Sequence, residues 1–63
     1  MIKDYKVGDK LIVNKNIATI DGMLHKDDVV KVDALGFPDN DMRVQDLLGK
    51  IWYIDFCDAN RID

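Results

Sequence analysis

Few side chains in this 63-residue sequence could carry chemistry, and their spacing argues against most of it. His25 and Cys57 are the single histidine and the single cysteine, and serine is absent. A thiol and an imidazole act as nucleophile and base only where a third group orients the base and donors await an oxyanion. The segments "LHKDD" and "DFCDA" supply neither. A lone cysteine is more often a small core hydrophobe. Without serine there is no serine hydrolase nucleophile either. The sequence therefore reads as a non-enzyme, with no catalytic residue, no cofactor and no metal ligand expected.

All twelve acidic residues are aspartates. Asp39, Asp41 and Asp46 have the oxygen chemistry of calcium ligands, but the spaced loop pattern with its distant bidentate glutamate is missing. Aspartate competes for backbone hydrogen bonds and favours turns and caps, so these residues and the Asp27-Asp28 pair read as turn punctuation. Codon bias would leave the same composition. Lys3, Lys6, Lys10 and Lys15 could neutralise phosphates if pairing gathered them with Lys26 or Arg61. Asp4, Asp9 and Asp21 interleave with them, which is the pattern of a solvated face. The net charge of −3 also disfavours nucleic acid as a partner without excluding it.

The apolar residues in unusual places are more informative. Leu47 and Leu48 fall at the centre of a turn, "DLLG", where polar residues are the rule. Either a short helical turn tucks them into the core, or they form an exposed tip that a partner covers. Trp52 and Tyr53 alternate on one strand, so one faces inward and the other is left partly exposed as a natural anchor. Phe37, beside Pro38, raises the same question. Phe37, Leu47, Leu48, Trp52 and Tyr53 are thus the candidate partner-binding residues.

The elements that must position these residues are short. A turn at Val7-Gly8-Asp9 feeds a strand over Leu11 to Val13, and residues 14–28 read as a long folded-back loop. Val29 to Leu35 alternates as a strand with Val30, Val32 and Ala34 on one face and Lys31 and Asp33 on the other. Pro38 breaks the chain between Gly36 and Asp41. A strand from Met42 to Gln45 leads through a turn with Asp46 and Gly49 at its ends into Ile51 to Asp55, the most β-prone segment and an expected central strand. A helical turn near Cys57 to Asn60 and a last strand at Arg61 to Ile62 complete the reading. The expected organisation is one all-β domain over residues 1–63, since so short a chain has little apolar material beyond a single core. With one cysteine, no disulfide staple and no long apolar stretch, a cytoplasmic location without membrane attachment is expected.

Five short strands, a long first loop, a compact second loop, a tight hairpin and one helical turn before the last strand form the element order of an SH3-like barrel. The segments "VGDKLIV", "LHKDDVVKV" and "VQDLLGKIWYI" resemble small bacterial SH3-like proteins over residues 5–62, above all those encoded by phages and prophages of low-GC Gram-positive bacteria. The chain departs from peptide-binding SH3 domains: it has no "ALYDY" stretch, no tryptophan pair opening the third strand and no Pro-x-x-Tyr in the helical turn. Recognition of proline-rich ligands does not carry over. The resemblance implies a non-catalytic adaptor for an unidentified protein, a host protein if the chain is phage-encoded, or for a second copy of itself. The alternatives are a nucleic-acid-binding barrel of the KOW, Tudor or OB kind, and an acidic mimic of DNA.

Overall fold

The computed structural model describes residues 5–37 and 41–62, so Lys3, Asp4, Pro38 and Asp39 lie outside the described residues. Along them run β1 (Lys10–Val13), β2 (Ile17–Thr19), β3 (Gly22–Leu24), β4 (Val29–Ala34), β5 (Asp41–Asp46), β6 (Ile51–Asp55), a 3₁₀ turn (Phe56–Asp58) and β7 (Ala59–Arg61). Five strands form one antiparallel sheet in the order β6-β5-β4-β1-β7, and β2 and β3 form a separate hairpin. The described residues thus hold seven strands in two sheets rather than five strands, and no closed barrel is formed among them. No helix among them is long and apolar enough to cross a membrane.

The core follows from alternation. Leu11 and Val13 on β1, Val30 and Val32 on β4, Met42 and Val44 on β5, and Trp52 and Ile54 on β6 all point to one face, where Leu24 and Ala59 join them. Ala34 was expected on the same face as Val30 and Val32 but is only half-buried, because the β4–β5 register shifts between Val32 and Ala34. Such a bulge adds a residue to one strand and re-aims the side chains beyond it.

Three expectations need correction. Residues 14–28 contain the β2–β3 hairpin, with Thr19 opposite Gly22 across its turn. Gly22 has φ +138°, and a Cβ there would lie 3.3 Å from the Trp52 ring and 3.1 Å from Lys50 Nζ, so the close approach of hairpin to sheet requires glycine. Secondly, β6 lies at an edge of the sheet rather than at its centre. Its aromatic and β-branched composition suits a pleated surface buried on one side, a property of the face and not of the strand order. Lastly, the helical turn begins at Phe56, and the final strand is Ala59–Arg61 rather than Arg61 to Ile62. Asp55 accepts from the Cys57 amide while Asp58 accepts from the Asp55 amide, a reciprocal cap that fixes where the turn starts.

The two ends of the described chain are joined at this turn. The Tyr5 hydroxyl donates to the Ala59 carbonyl at 2.7 Å, and its ring meets Phe56 edge-on with centroids 5.6 Å apart. Asn14 Nδ2 donates to the Cys57 carbonyl at 2.8 Å, and Arg61 pairs with Asp9 at 3.0 Å.

Candidate binding face

The outer face of the five-stranded sheet is built from the residues that alternate with the core. Its middle row is fixed by register: Lys10 on β1 stands opposite Lys31 on β4, Lys31 opposite Gln45 on β5, and Gln45 opposite Ile51 on β6. One row towards the β5–β6 turn lie Ile12 and Val29, which are cross-strand partners and both half-buried. On the other side lies an aromatic and ionic corner. Arg43 stands opposite Tyr53, its Nε donates to Asp33 at 2.7 Å, and Phe37 packs edge-on against Tyr53 with centroids 5.6 Å apart. The Tyr53 hydroxyl first, and then the Asp33 carboxylate, hold the Arg43 guanidinium above its ordinary pKa.

The turn between β5 and β6 closes this face. Asp46 is its organiser: Oδ1 accepts from the Leu48 and Lys50 amides, each at 2.9 Å, and Oδ2 accepts from the Trp52 indole at 2.9 Å. The Gly49 amide donates to the Asp46 carbonyl at 3.1 Å, and Gly49 sits at φ +85°, the left-handed position that ends a three-residue hairpin loop. The Trp52 indole foremost, and then the Lys50 and Leu48 amides, hold the Asp46 carboxyl below the usual carboxylate range against the opposing effect of burial. Lys50 adds a second clamp, its ammonium lying 4.3 Å from the centroid of the Trp52 ring and donating to the Asp21 carbonyl of the β2–β3 turn. Out of this fixed turn Leu47 and Leu48 project into solvent, 83% and 94% exposed.

A shallow groove follows β4 on this face. One part of it, about 340 Å³, is lined by Lys10, Val29, Lys31, Gln45, Asp46 and Leu47 among others. A smaller depression bounded by Asp28, Val29, Leu47 and Leu48 extends it past the turn, and another beside Val7, Gly8, Lys31 and Gln45 extends it the opposite way.

Four of the five residues singled out from sequence therefore lie on or beside one face. Phe37 and Tyr53 meet at one corner, and Leu47 and Leu48 form the turn at the other end. Trp52 is the exception. It is only 6% exposed, its indole N–H is taken by Asp46 and its ring is covered by Lys50, so it holds the turn in place and is no anchor. Tyr53, its neighbour on the outer side, is 55% exposed. The helical arrangement that would have tucked the two leucines inward does not form, because the Asp46 side chain supplies what the turn backbone needs.

The charged residues also sort differently from a linear reading. Lys10 belongs with Lys31, whereas Lys15 pairs with Asp58 at 2.9 Å and Arg61 with Asp9. The aspartates are largely occupied within the fold: Asp9 receives the Lys6 amide, Asp28 the His25 amide, Asp55 the Cys57 amide and Asp58 the Asp55 amide. That use follows the expectation of turn punctuation and leaves little for an aligned acidic ladder. His25 sits in the loop before β4 beside Asp28, and Cys57 is exposed on the 3₁₀ turn. Among the described residues no group of three His, Cys, Asp or Glu side chains is placed to hold a metal ion. Sequence reasoning missed the Lys10–Lys31 pair and Val29, and the only signal for them was the alternation of β1 and β4, which gives the face of each residue but not its neighbour across the strands.

No protein-family model matches the chain, and neither the curated proteins nor the solved structures give a match.

Proposed function

We propose that this chain is a non-catalytic binding module of the small SH3-like type, which takes a protein partner on the outer face of its sheet, with Leu47 and Leu48 as principal anchors and Phe37 and Tyr53 at the flank. The fold-type reading is supported by element order: a first strand, a hairpin excursion, a three-strand meander, a 3₁₀ turn and a last strand that returns beside the first. A reducing, cytoplasmic setting suits the exposed free thiol of Cys57.

The observation that carries the binding reading is the contrast between the dense hydrogen bonding of the β5–β6 turn and the exposure of the two leucines it holds. A single exposed leucine means little, since much of any protein surface is apolar. Two adjacent ones on a turn fixed by three side-chain hydrogen bonds, beside a groove, form a pre-ordered contact that loses little entropy on binding. If the chain is phage-encoded, the partner is a host protein. The test compares immobilised protein with its Leu47→Ser/Leu48→Ser variant for the proteins each retains from the extract of its source cell. The reading expects a retained protein that the variant loses while its unfolding transition stays in place. Equal retention by both contradicts it.

A further inference from the structure

The partner's chemistry can be taken further from the groove itself, on the footing that the outer face binds protein. Lys10 and Lys31 are directly opposite on neighbouring antiparallel strands, both exposed. Like charges so placed repel and destabilise the pair. Three of the other described cations are paired with carboxylates, Lys15 with Asp58, Arg43 with Asp33 and Arg61 with Asp9, and Lys50 is held over the Trp52 ring. No carboxylate pairs with Lys10 or Lys31 among the described residues, in a chain that carries twelve aspartates. Beside the two lysines the groove is lined by Val29 and Leu47, and by Asp46, whose carboxylate oxygens are already taken by the Leu48 and Lys50 amides and the Trp52 indole.

We infer that this groove receives an acidic, aliphatic segment of the partner, with carboxylates over Lys10 and Lys31 and an aliphatic side chain against Val29 and Leu47. Charge complementarity selects the acid, and the apolar lining selects its neighbour. A nucleic-acid strand fits less well. It needs a succession of cations along its backbone and aromatic faces for its bases, whereas the groove holds two lysines and no aromatic ring among the described residues lines it. A second copy fits less well too, because most described aspartates already accept hydrogen bonds inside their own molecule.

The test is an NMR titration of the isotope-labelled protein with three short synthetic peptides, alternating aspartate with leucine, lysine with leucine, and aspartate with serine. The aspartate-leucine peptide is expected to move the amides of Lys10, Val29, Lys31, Gln45 and Leu47 and to bind at least about tenfold more tightly than either of the others. Its affinity should fall with added salt and by a similar factor in Lys10→Gln/Lys31→Gln, whose unfolding midpoint stays the same or rises because a repulsion has been removed. Equal binding of the lysine-leucine peptide, indifference to the double lysine substitution, or no shift with any peptide overturns the assignment. So does an oligothymidylate that moves the same amides, or concentration-dependent self-association abolished by Lys10→Glu. These results leave the broader reading standing so long as partner retention still depends on Leu47 and Leu48; if retention is indifferent to them, both fall.

Discussion

Two turns in this molecule are held by aspartate side chains, and they put the same chemistry to opposite uses. At the 3₁₀ turn Asp55 and Asp58 cap one another, the Asp58 carboxylate is buried against Lys15, and the surrounding groups join the two ends of the described chain. At the β5–β6 turn Asp46 accepts just as many hydrogen bonds, yet the residues it fixes point outward. A polar clamp is thus no sign of whether a turn closes the fold or presents a surface. The apolar residues beside the clamp decide that: Phe56 packs against the core, and Leu47 and Leu48 do not.

The largest expected effect belongs to the closing turn. Asp58→Ala removes the acceptor of the Asp55 amide and the partner of Lys15, and a loss of about 2 kcal/mol of stability is expected, from an unmade capping bond and a broken charge-assisted contact. Urea unfolding measures it, and an unchanged midpoint would separate the two turns less sharply than the structure does. Asp46→Ala should cost somewhat less, about 1–2 kcal/mol, by leaving the Trp52 indole N–H without its acceptor. Trp52 fluorescence should shift as the ring loses its fixed neighbour. Unlike Asp58→Ala, this substitution should also weaken partner retention.

Acid should act on the same carboxylates. Asp46 and Asp9 are held below the ordinary value of 3.8, Asp46 chiefly by the Trp52 indole and Asp9 chiefly by the Lys6 amide. The folded state then binds fewer protons than the unfolded state, so their stabilisation is complete above the unfolded pKa and is lost as pH falls through the folded values. Lys15, raised above 10.5 chiefly by its hydrogen bond to Asp58, stabilises fully below that value and loses its contribution as pH rises through the folded one. Unfolding midpoints should therefore be level through neutral pH and fall at both extremes, with Asp46→Asn flattening part of the acid limb alone. The smallest effect on stability is expected of Leu47→Ser/Leu48→Ser, within about 0.5 kcal/mol, because exposed side chains contribute little to the fold. A larger loss would mean that the leucines are buried in solution and that the turn presents nothing.

How far these features could be read from sequence depends on how local their causes are. The strands at Leu11 to Val13, Val29 to Leu35 and Ile51 to Asp55 and the turn between Asp46 and Gly49 rest on residues adjacent in sequence, and the structure places them within a residue or two of expectation. The β2–β3 hairpin was hidden because three-residue strands with mostly exposed side chains show no period. The edge position of β6 and the meeting of Lys10 with Lys31 are set by pairing across the sheet, which no local pattern encodes. For the candidate site the aromatic and leucine residues were legible as misfits of type and place. Alternation shows that one of Trp52 and Tyr53 faces inward, but that it is Trp52 depends on its acceptor, Asp46, which reads in sequence as an ordinary turn residue.

The central claim is that the β5–β6 turn is a rigid structure holding two leucines in water. Heteronuclear NOEs of the Leu47, Leu48 and Gly49 amides test it without any partner. Values equal to those of the β5 and β6 amides are expected, with the Leu48 and Lys50 amides protected from exchange by Asp46. Values falling to those of a mobile tail, with no protection of either amide, would contradict it.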